Sequence, residues 1–179
     1  MKRIRFNQQG FTLAELILGM SLTVLLLSGI GTLLSVNIQS WLNGSSRTEV
    51  QQTARYAMDM MVRELRYAKN FTSESAYSNK YSVLFNDTST PAPNKYRYYL
   101  QTTNHILYRE PVSPDGTPQP VTGANVNGST NVVINTNNET LFEVLDNNTV
   151  VITLTATDIV RNQSYTLRSV VYGVTKYIQ

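Results

Sequence analysis

The sequence predicts an α+β fold in which a long N-terminal helix precedes a domain of antiparallel strands. Residues 11–36 form an apolar run, residues 50–68 repeat apolar side chains at helical spacing, and much of residues 81–175 alternates apolar and polar side chains. We expect a basic leader over residues 1–10, a membrane-spanning helix over 11–36, an amphipathic helix over 37–69 and a β-rich domain over 70–179.

The apolar run from Phe11 to Val36 is long enough to cross a membrane as a helix, because about 20 apolar residues suffice. The preceding residues carry Lys2, Arg3 and Arg5 without any acid, so the positive-inside rule keeps them in the cytoplasm and places the rest outside. A cleaved secretory signal is disfavoured, because the run is too long and no A-x-A site follows it.

Glu15 is the single charged residue of the apolar run, and a carboxylate at that depth in a bilayer normally has a partner. Together with the basic leader and the junction Gly10-Phe11, it resembles the N-terminal signal of type IV prepilins. The matching residues are Gly10, Phe11, Thr12, Leu13 and Glu15. The alternative is a plain signal anchor whose Glu15 faces another membrane protein.

The resemblance implies that a prepilin peptidase cleaves after Gly10 and methylates the new amine of Phe11. It implies that Glu15 pairs with the N-terminal amine of a neighbouring subunit when the anchor becomes filament core. The implied partners are the peptidase, other major and minor pilins, the cytoplasmic (inner) membrane and, indirectly, an assembly platform protein and its ATPase. The subunit would be a single-pass cytoplasmic membrane protein first, and part of a surface pilus or periplasmic pseudopilus later.

Two later segments resemble W-type minor pilins and J-type minor pseudopilins. These are the end of the helix, Glu64-Leu65-Arg66-Tyr67-Ala68, and the pair Arg161-Asn162 before the last strand. They imply a minor subunit that primes assembly or occupies the tip of a type IV pilus or type II secretion pseudopilus. A major pilin, another minor or competence pilin, and a membrane-anchored adhesion module are the alternatives.

Composition argues against nucleic acid as a partner and against enzymatic chemistry. The formal charge of +3 comes from the three basic residues of the leader, so a chain cut after Gly10 is formally neutral and has no basic footprint. His105 is the only histidine, there is no cysteine, and neither a phosphate loop nor a G-x-S-x-G elbow occurs. We therefore predict no enzyme, no cofactor and no metal, with His105 solvated at a hairpin turn.

The junction between the two halves of the helix contains conflicting signals. Trp41 has the character of an interfacial anchor, Asn43-Gly44 is a breaker, and Ser46-x-x-Glu49 has the spacing of a capping box. We expect either a kink at residues 43–46 or a helix that tolerates them. Gly29 and Gly31 are candidates for a soft point in the anchor or for close helix packing.

The helical period beyond this junction predicts an apolar stripe that packs on a sheet face. Its members are Val50, Ala54, Ala57, Met58, Met61, Val62, Leu65 and Ala68. Tyr56, Met60 and Tyr67 lie on the flank of the stripe, where they would contact another subunit or pack beneath a loop.

The β domain is predicted from its period of two. The expected strands are residues 81–85, a hairpin over 95–109, and residues 131–135, 141–145, 149–157 and 165–175. The proline-rich residues 111–130 are expected to form a surface loop without a central strand. If the chain is an adhesion module, we expect that loop and the tyrosines of residues 96–99 to contact its binding partner.

Overall fold

A computed structural model describes residues 11–74, 80–88, 94–123, 132–135 and 139–174. The leader with Gly10 lies outside the described residues, as do residues 124–130 of the predicted proline-rich loop. The chain divides into two compact units, Met1–Leu42 and Asn43–Gln179.

Helix α1 spans Leu13–Leu65, a single helix of 53 residues. It continues through Asn43-Gly44, so the sequence is tolerated there and no break occurs. Gly44 has no atom near its missing side chain, and its cost of about 1 kcal/mol is smaller than that of starting a second helix. The helix ends at Leu65, short of the predicted Lys69.

Among the described residues, nine strands follow the helix in antiparallel pairs. They are β1 (Ala68–Thr72), β2 (Ser82–Asp87), β3 (Lys95–Gln101), β4 (Ile106–Ser113), β5 (Gln119–Pro120), β6 (Val132–Ile134), β7 (Phe142–Asp146), β8 (Thr149–Asp158) and β9 (Gln163–Tyr172). The α+β prediction is confirmed, with an N-terminal helix and antiparallel sheets.

The strands form two sheets. Strands β1 to β5 form a meander in sequence order, whereas β8 is the centre of the second sheet. Strand β9 pairs along the full length of β8, while β7 pairs with its first half and β6 with its last three residues. The central position of β8 explains why Val150, Ile152, Leu154 and Ala156 are all buried.

Backbone hydrogen bonds join the two sheets at several points. Phe71 N–H donates to Asn147 O over 2.8 Å, and Leu141 N–H donates to Lys80 O over 2.9 Å. His105 O accepts from Ile134 N–H at 3.0 Å, and its Nδ1 lies 3.1 Å from Ile134 O. The predicted hairpin turn at His105 is confirmed, but the solvated histidine is wrong, since its half-buried ring ties two sheets together.

The core of the domain lies between the second half of α1 and strands from both sheets. Val50, Ala54, Ala57, Met61 and Leu65 are buried against side chains such as those of β3 and β8. The predicted stripe is therefore confirmed, although it packs against both sheets and Val62 is only half buried. Ala68 is buried too, but as the first residue of β1.

Two segments differ from the sequence-based expectation. The first predicted strand begins at residue 81, yet residues 70–72 already belong to β1, whose partner β2 supplies backbone hydrogen bonds that a local pattern does not show. Pro111 was placed in a loop, but β4 continues through it opposite Tyr96, with a register shift next to this pair. A proline fits at such an irregularity, because the regular pattern of backbone hydrogen bonds is interrupted there and its nitrogen, which has no hydrogen, does not need to donate one.

The capping-box spacing at Ser46 does not begin a second helix. Ser46 lies inside α1, is buried, and donates its hydroxyl hydrogen bond to Asp158 Oδ2 at the end of β8. The other carboxylate oxygen of Asp158 accepts from Val160 N–H at 2.8 Å and from Arg161 N–H at 3.2 Å. One carboxylate therefore fixes both the β8–β9 turn and its attachment to the helix.

We predict that Ser46→Ala lowers the free energy of unfolding of the domain by about 1–2 kcal/mol, because a buried carboxylate loses a hydrogen bond. Urea denaturation of the full chain in detergent micelles measures the change. Ser45→Ala is the matched control, because Ser45 is the exposed neighbour in the same helical turn. Equal effects of the two substitutions would show that the hydroxyl contributes nothing specific.

The pKa of Asp158 gives a second prediction. Burial acts to raise this pKa, but the hydrogen bonds from Ser46, Val160 and Arg161 outweigh burial and hold it below its usual value. A lowered folded-state pKa stabilises the fold above the unfolded-state pKa, and this stabilisation is lost as the pH falls through the folded value. Asp158→Asn should therefore flatten the loss of stability in the acid range, as measured by urea denaturation at stepped pH. An unchanged acid slope would contradict this assignment.

Candidate membrane anchor and assembly surface

In the described part of the first unit, residues 13–42 are helical, and the side chains of residues 11–41 are exposed on every face. Phe11, Leu13, Leu25 and Leu26, for example, each expose more than 60% of their surface. The most apolar window of α1 reaches a mean hydropathy of 2.1, with none of it buried. The helix is therefore long and apolar enough to span a membrane.

The hydroxyl groups of this segment are satisfied within the helix. Each donates to a backbone carbonyl three or four residues earlier, at 2.8–3.0 Å: Ser21, Thr23, Ser28, Thr32 and Ser35. A polar group in lipid is costly unless it is hydrogen-bonded, so these local bonds make the hydroxyls compatible with a bilayer. The segment is therefore compatible with the apolar interior of a membrane despite its serine and threonine residues.

Glu15 takes part in a cap at the beginning of α1. Thr12 donates to Glu15 Oε2 from both its backbone nitrogen, at 2.9 Å, and its hydroxyl, at 3.0 Å. In return Glu15 N–H donates to the Thr12 hydroxyl over 3.3 Å. This reciprocal pattern is a capping box, and its spacing, Thr12-x-x-Glu15, is the signal in the sequence that indicates it.

The cap leaves half of the Glu15 carboxylate available. Both bonds from Thr12 end on Oε2, and Oε1 accepts none from the residues that the structure describes. A carboxylate has room for about four hydrogen bonds, so a second donor can bind without displacing the cap. Phe11, the expected new N-terminus, is only one residue away from the cap.

The flank formed by Tyr56, Met60 and Tyr67 lies on the second unit. Tyr56 and Tyr67 are 65% and 61% exposed, and Met60 is half buried against the core. The isolated domain therefore leaves these residues partly exposed. Together with Asp59, Arg63, Glu64, Asp87 and Arg109 they line an open groove of about 570 Å³.

An ion pair that the sequence did not reveal forms the floor of this groove. Arg109 Nε donates to both carboxylate oxygens of Glu64 at 2.9 Å, and its Nη2 also contacts Oε1. The guanidinium lies 4.1 Å from the ring centre of Tyr96, and the hydroxyl of buried Tyr98 donates to Glu64 Oε2. Because the two charges are 45 residues apart in the chain, no local spacing could predict their contact.

Two groups on the floor of the groove have raised pKa values. Burial, followed by the neighbouring Glu64 carboxylate, raises the pKa of Tyr98 far above its ordinary range. Hydrogen bonding to Glu64 raises the pKa of Arg109 further, in spite of burial. Both groups therefore keep their protons near neutral pH, and their hydrogen bonds to Glu64 attach the end of the helix to β3 and β4.

The tyrosines proposed for the adhesion alternative are mostly engaged within the sheet. Tyr98 is fully buried and stacks on Phe85 with a centroid distance of 5.6 Å. Tyr99 stacks on its cross-strand partner Tyr108 at 5.5 Å. These contacts are the cross-strand packing that aromatic residues commonly make in sheets.

Within the described part of the chain, no group of three or more His, Asp or Glu side chains is arranged to hold a metal ion. Comparison with known proteins finds no matching family model, no similar curated protein and no similar solved structure.

We predict that Arg109→Met destabilises the domain by about 2–3 kcal/mol, since it leaves the largely buried Glu64 carboxylate without its cation. Glu64 and Arg109 expose about a fifth of their side chains, 21% and 20%. The matched control is Arg63→Met, which breaks an exposed helical pair with Asp59 and should cost less than about 0.5 kcal/mol. Urea denaturation in micelles compares the two, and equal costs would show that burial of the pair is unimportant.

Proposed function

We propose that this chain is a structural subunit of a type IV pilin-like filament, anchored in the membrane by the first half of α1 before assembly. The observation that carries the proposal is the combination at the start of the helix. A basic leader, Gly10-Phe11 and an apolar run long enough for a membrane surround one carboxylate, Glu15. A plain membrane anchor does not require a carboxylate at that depth, whereas in a filament core the carboxylate can pair with the amine of a neighbouring subunit.

The geometry at Glu15 supports this proposal. Cleavage after Gly10 would create an amine at Phe11, which is the kind of donor that a carboxylate in lipid requires. Glu15 Oε1 is free of other donors among the described residues, while Oε2 is occupied by the cap. In the proposed filament, Oε1 receives the amine of a neighbouring subunit, and this pairing sets the axial register.

The exposed apolar surface of the first unit supports the same proposal. Side chains from Phe11 to Trp41 are exposed on every face of the helix, which suits lipid first and neighbouring helices later. The helix packs as a filament core without a change of fold, because its backbone bonds and hydroxyl bonds are internal. A prepilin peptidase, companion pilins and an ATP-driven assembly platform are the partners that this function requires.

Within this function we propose a minor subunit of the W or J type. The support is the sequence at the end of α1 and at Arg161-Asn162. In the structure these segments hold Glu64, which braces the helix, and Asn162, whose φ of 52° shapes the β8–β9 turn. A minor subunit would prime assembly or occupy the tip, in contact with other minor pilins through its β domain.

We predict that Glu15→Ala leaves membrane insertion intact but strongly reduces incorporation into sheared filaments, measured by immunoblotting of membrane and filament fractions from the native host. The reason is the loss of the acceptor for the neighbouring amine. Glu49→Ala is the control, since Glu49 is an exposed carboxylate of the same helix outside the apolar run. Normal incorporation of the Glu15→Ala subunit would refute the pairing, and absence of the wild-type chain from all filaments would refute the function.

The flank of α1 gives a separate prediction. If Tyr56, Met60 and Tyr67 contact another subunit, then Tyr67→Ser reduces filament incorporation while leaving the unfolding free energy within about 0.5 kcal/mol of wild type, as expected for an exposed position. Tyr172→Ser is the control, because Tyr172 is an equally exposed tyrosine, at 70%, on β9. Equal incorporation of the two variants would indicate that the groove faces solvent in the assembly.

A further inference from the structure

We propose that the turn between β8 and β9 is a membrane-contacting tip, in which Ile159 and Val160 enter the lipid headgroup region. The proposal rests on the membrane anchoring described above, but it assigns a second contact that the anchor itself does not imply. It concerns the unassembled subunit, in which the β domain is connected through α1 to the membrane anchor.

The first observation is the exposure of two apolar residues at the turn. Ile159 and Val160 are 60% and 65% exposed, although both are branched aliphatic residues. Turns normally use Gly, Asn, Asp, Ser or Pro, and the geometry of this one is provided by Asp158 and by Asn162 at φ 52°. Neither the turn nor the core therefore requires apolar residues at these two positions.

The second observation is that the turn is held in a fixed position. Asp158 Oδ1 accepts the backbone hydrogen bonds of Val160 and Arg161, while Oδ2 accepts the hydroxyl of Ser46. The hydroxyls of Thr157 and Ser164 meet at 3.0 Å just behind the turn. Because these hydrogen bonds hold both sides of the turn, Ile159 and Val160 stay exposed instead of packing onto the domain.

The third observation is the place of Ser46 in the chain. Ten residues separate Ser46 from Val36, the end of the apolar run, and ten residues of helix are about 15 Å long. Even a fully extended segment of that length would reach only about 35 Å. The covalent connection therefore keeps the turn that is bonded to Ser46 within reach of the membrane surface.

The two ends of β8 differ in the way that this proposal requires. The turn before β8, at the other end of this strand, contains the polar residues Asn147 and Asn148. Their backbone carbonyls accept hydrogen bonds from Phe71 and Gly173 rather than from the part of α1 near Ser46. The ten residues of β8 separate the two ends by about 30 Å. A lipid partner explains why the apolar turn is the one near the anchor, since apolar side chains at an interface gain by leaving water.

Arg161 completes the chemistry of the tip. It follows Val160 directly, is half buried, and lies 3.8 Å from Asp158 through Nη1. Basic residues beside aliphatic ones are typical of surfaces that rest on lipid, because the aliphatic part enters the interface while the cation stays with the phosphates. The partner is therefore a phospholipid surface, and a neighbouring protein subunit is the outcome that the experiment must separate from it.

The absence of cysteine from the chain allows a direct test with single labels. Full-length variants Val160→Cys, Leu145→Cys and Leu25→Cys carry one fluorophore each and are reconstituted in phosphatidylcholine vesicles. Leu145 is the matched control, because it is an apolar residue of similar exposure, 58%, near the far end of β8. Nitroxide lipids with the spin label near the headgroup or deep in the acyl chain report contact, and aqueous iodide reports exposure to water.

We expect the label at position 160 to lose most of its fluorescence to headgroup nitroxides and to be protected from iodide. The label at 145 should behave in the opposite way, and the label at 25 should be quenched by deep nitroxides. Adding Ile159→Ser to the Val160→Cys variant should weaken the lipid quenching at 160, whereas adding Leu145→Ser should leave it unchanged.

Three results would overturn the proposal. If the lipid nitroxides quench the label at position 25 but not the label at position 160, the helix is anchored in the membrane but the β8–β9 turn does not contact lipid. If 160 is shielded from iodide without lipid quenching, or if 145 is quenched equally, another surface or a neighbouring subunit makes the contact. If position 25 itself is unquenched, the anchor and the tip both fail.

Discussion

The domain depends on the apolar face that α1 presents between Val50 and Leu65. Ala54, Ala57 and Met61 on this face are fully buried, and strands from both sheets pack around them. No disulfide supplements this packing, because the chain has no cysteine. In the first half of the same helix no side chain is buried, and this half is long and apolar enough to span a membrane. One continuous helix therefore belongs to both units of the chain.

The periodic features of this chain could be predicted from the sequence, because burial on one face leaves a repeat in the residues that form it. The stripe from Val50 to Leu65, the hairpin of β3 and β4, and strands β7 to β9 follow this rule. Their boundaries lie within a few residues of the expected ones. The exposed flank at Tyr56 and Tyr67 was also predictable, since it interrupts the polar side of the same helix.

Contacts between distant residues could not be predicted in the same way. The two segments Thr12-x-x-Glu15 and Ser46-x-x-Glu49 have the same capping spacing, yet the first caps α1 and the second lies inside it. The difference is that Ser46 finds a tertiary acceptor in Asp158, so its hydroxyl is satisfied without a helix end. Glu64 and Arg109 likewise meet through the fold, and each sequence segment alone indicates only a polar surface.

The proposed function depends on what happens between Gly10 and Phe11. The most direct test is intact-mass and N-terminal analysis of the protein from its native host, beside a strain that lacks the prepilin peptidase. The account predicts a chain that begins at methylated Phe11 in the first strain and at Met1 in the second. A chain that begins at Met1 in both strains would contradict it and would indicate a membrane-anchored domain with an uncleaved signal anchor.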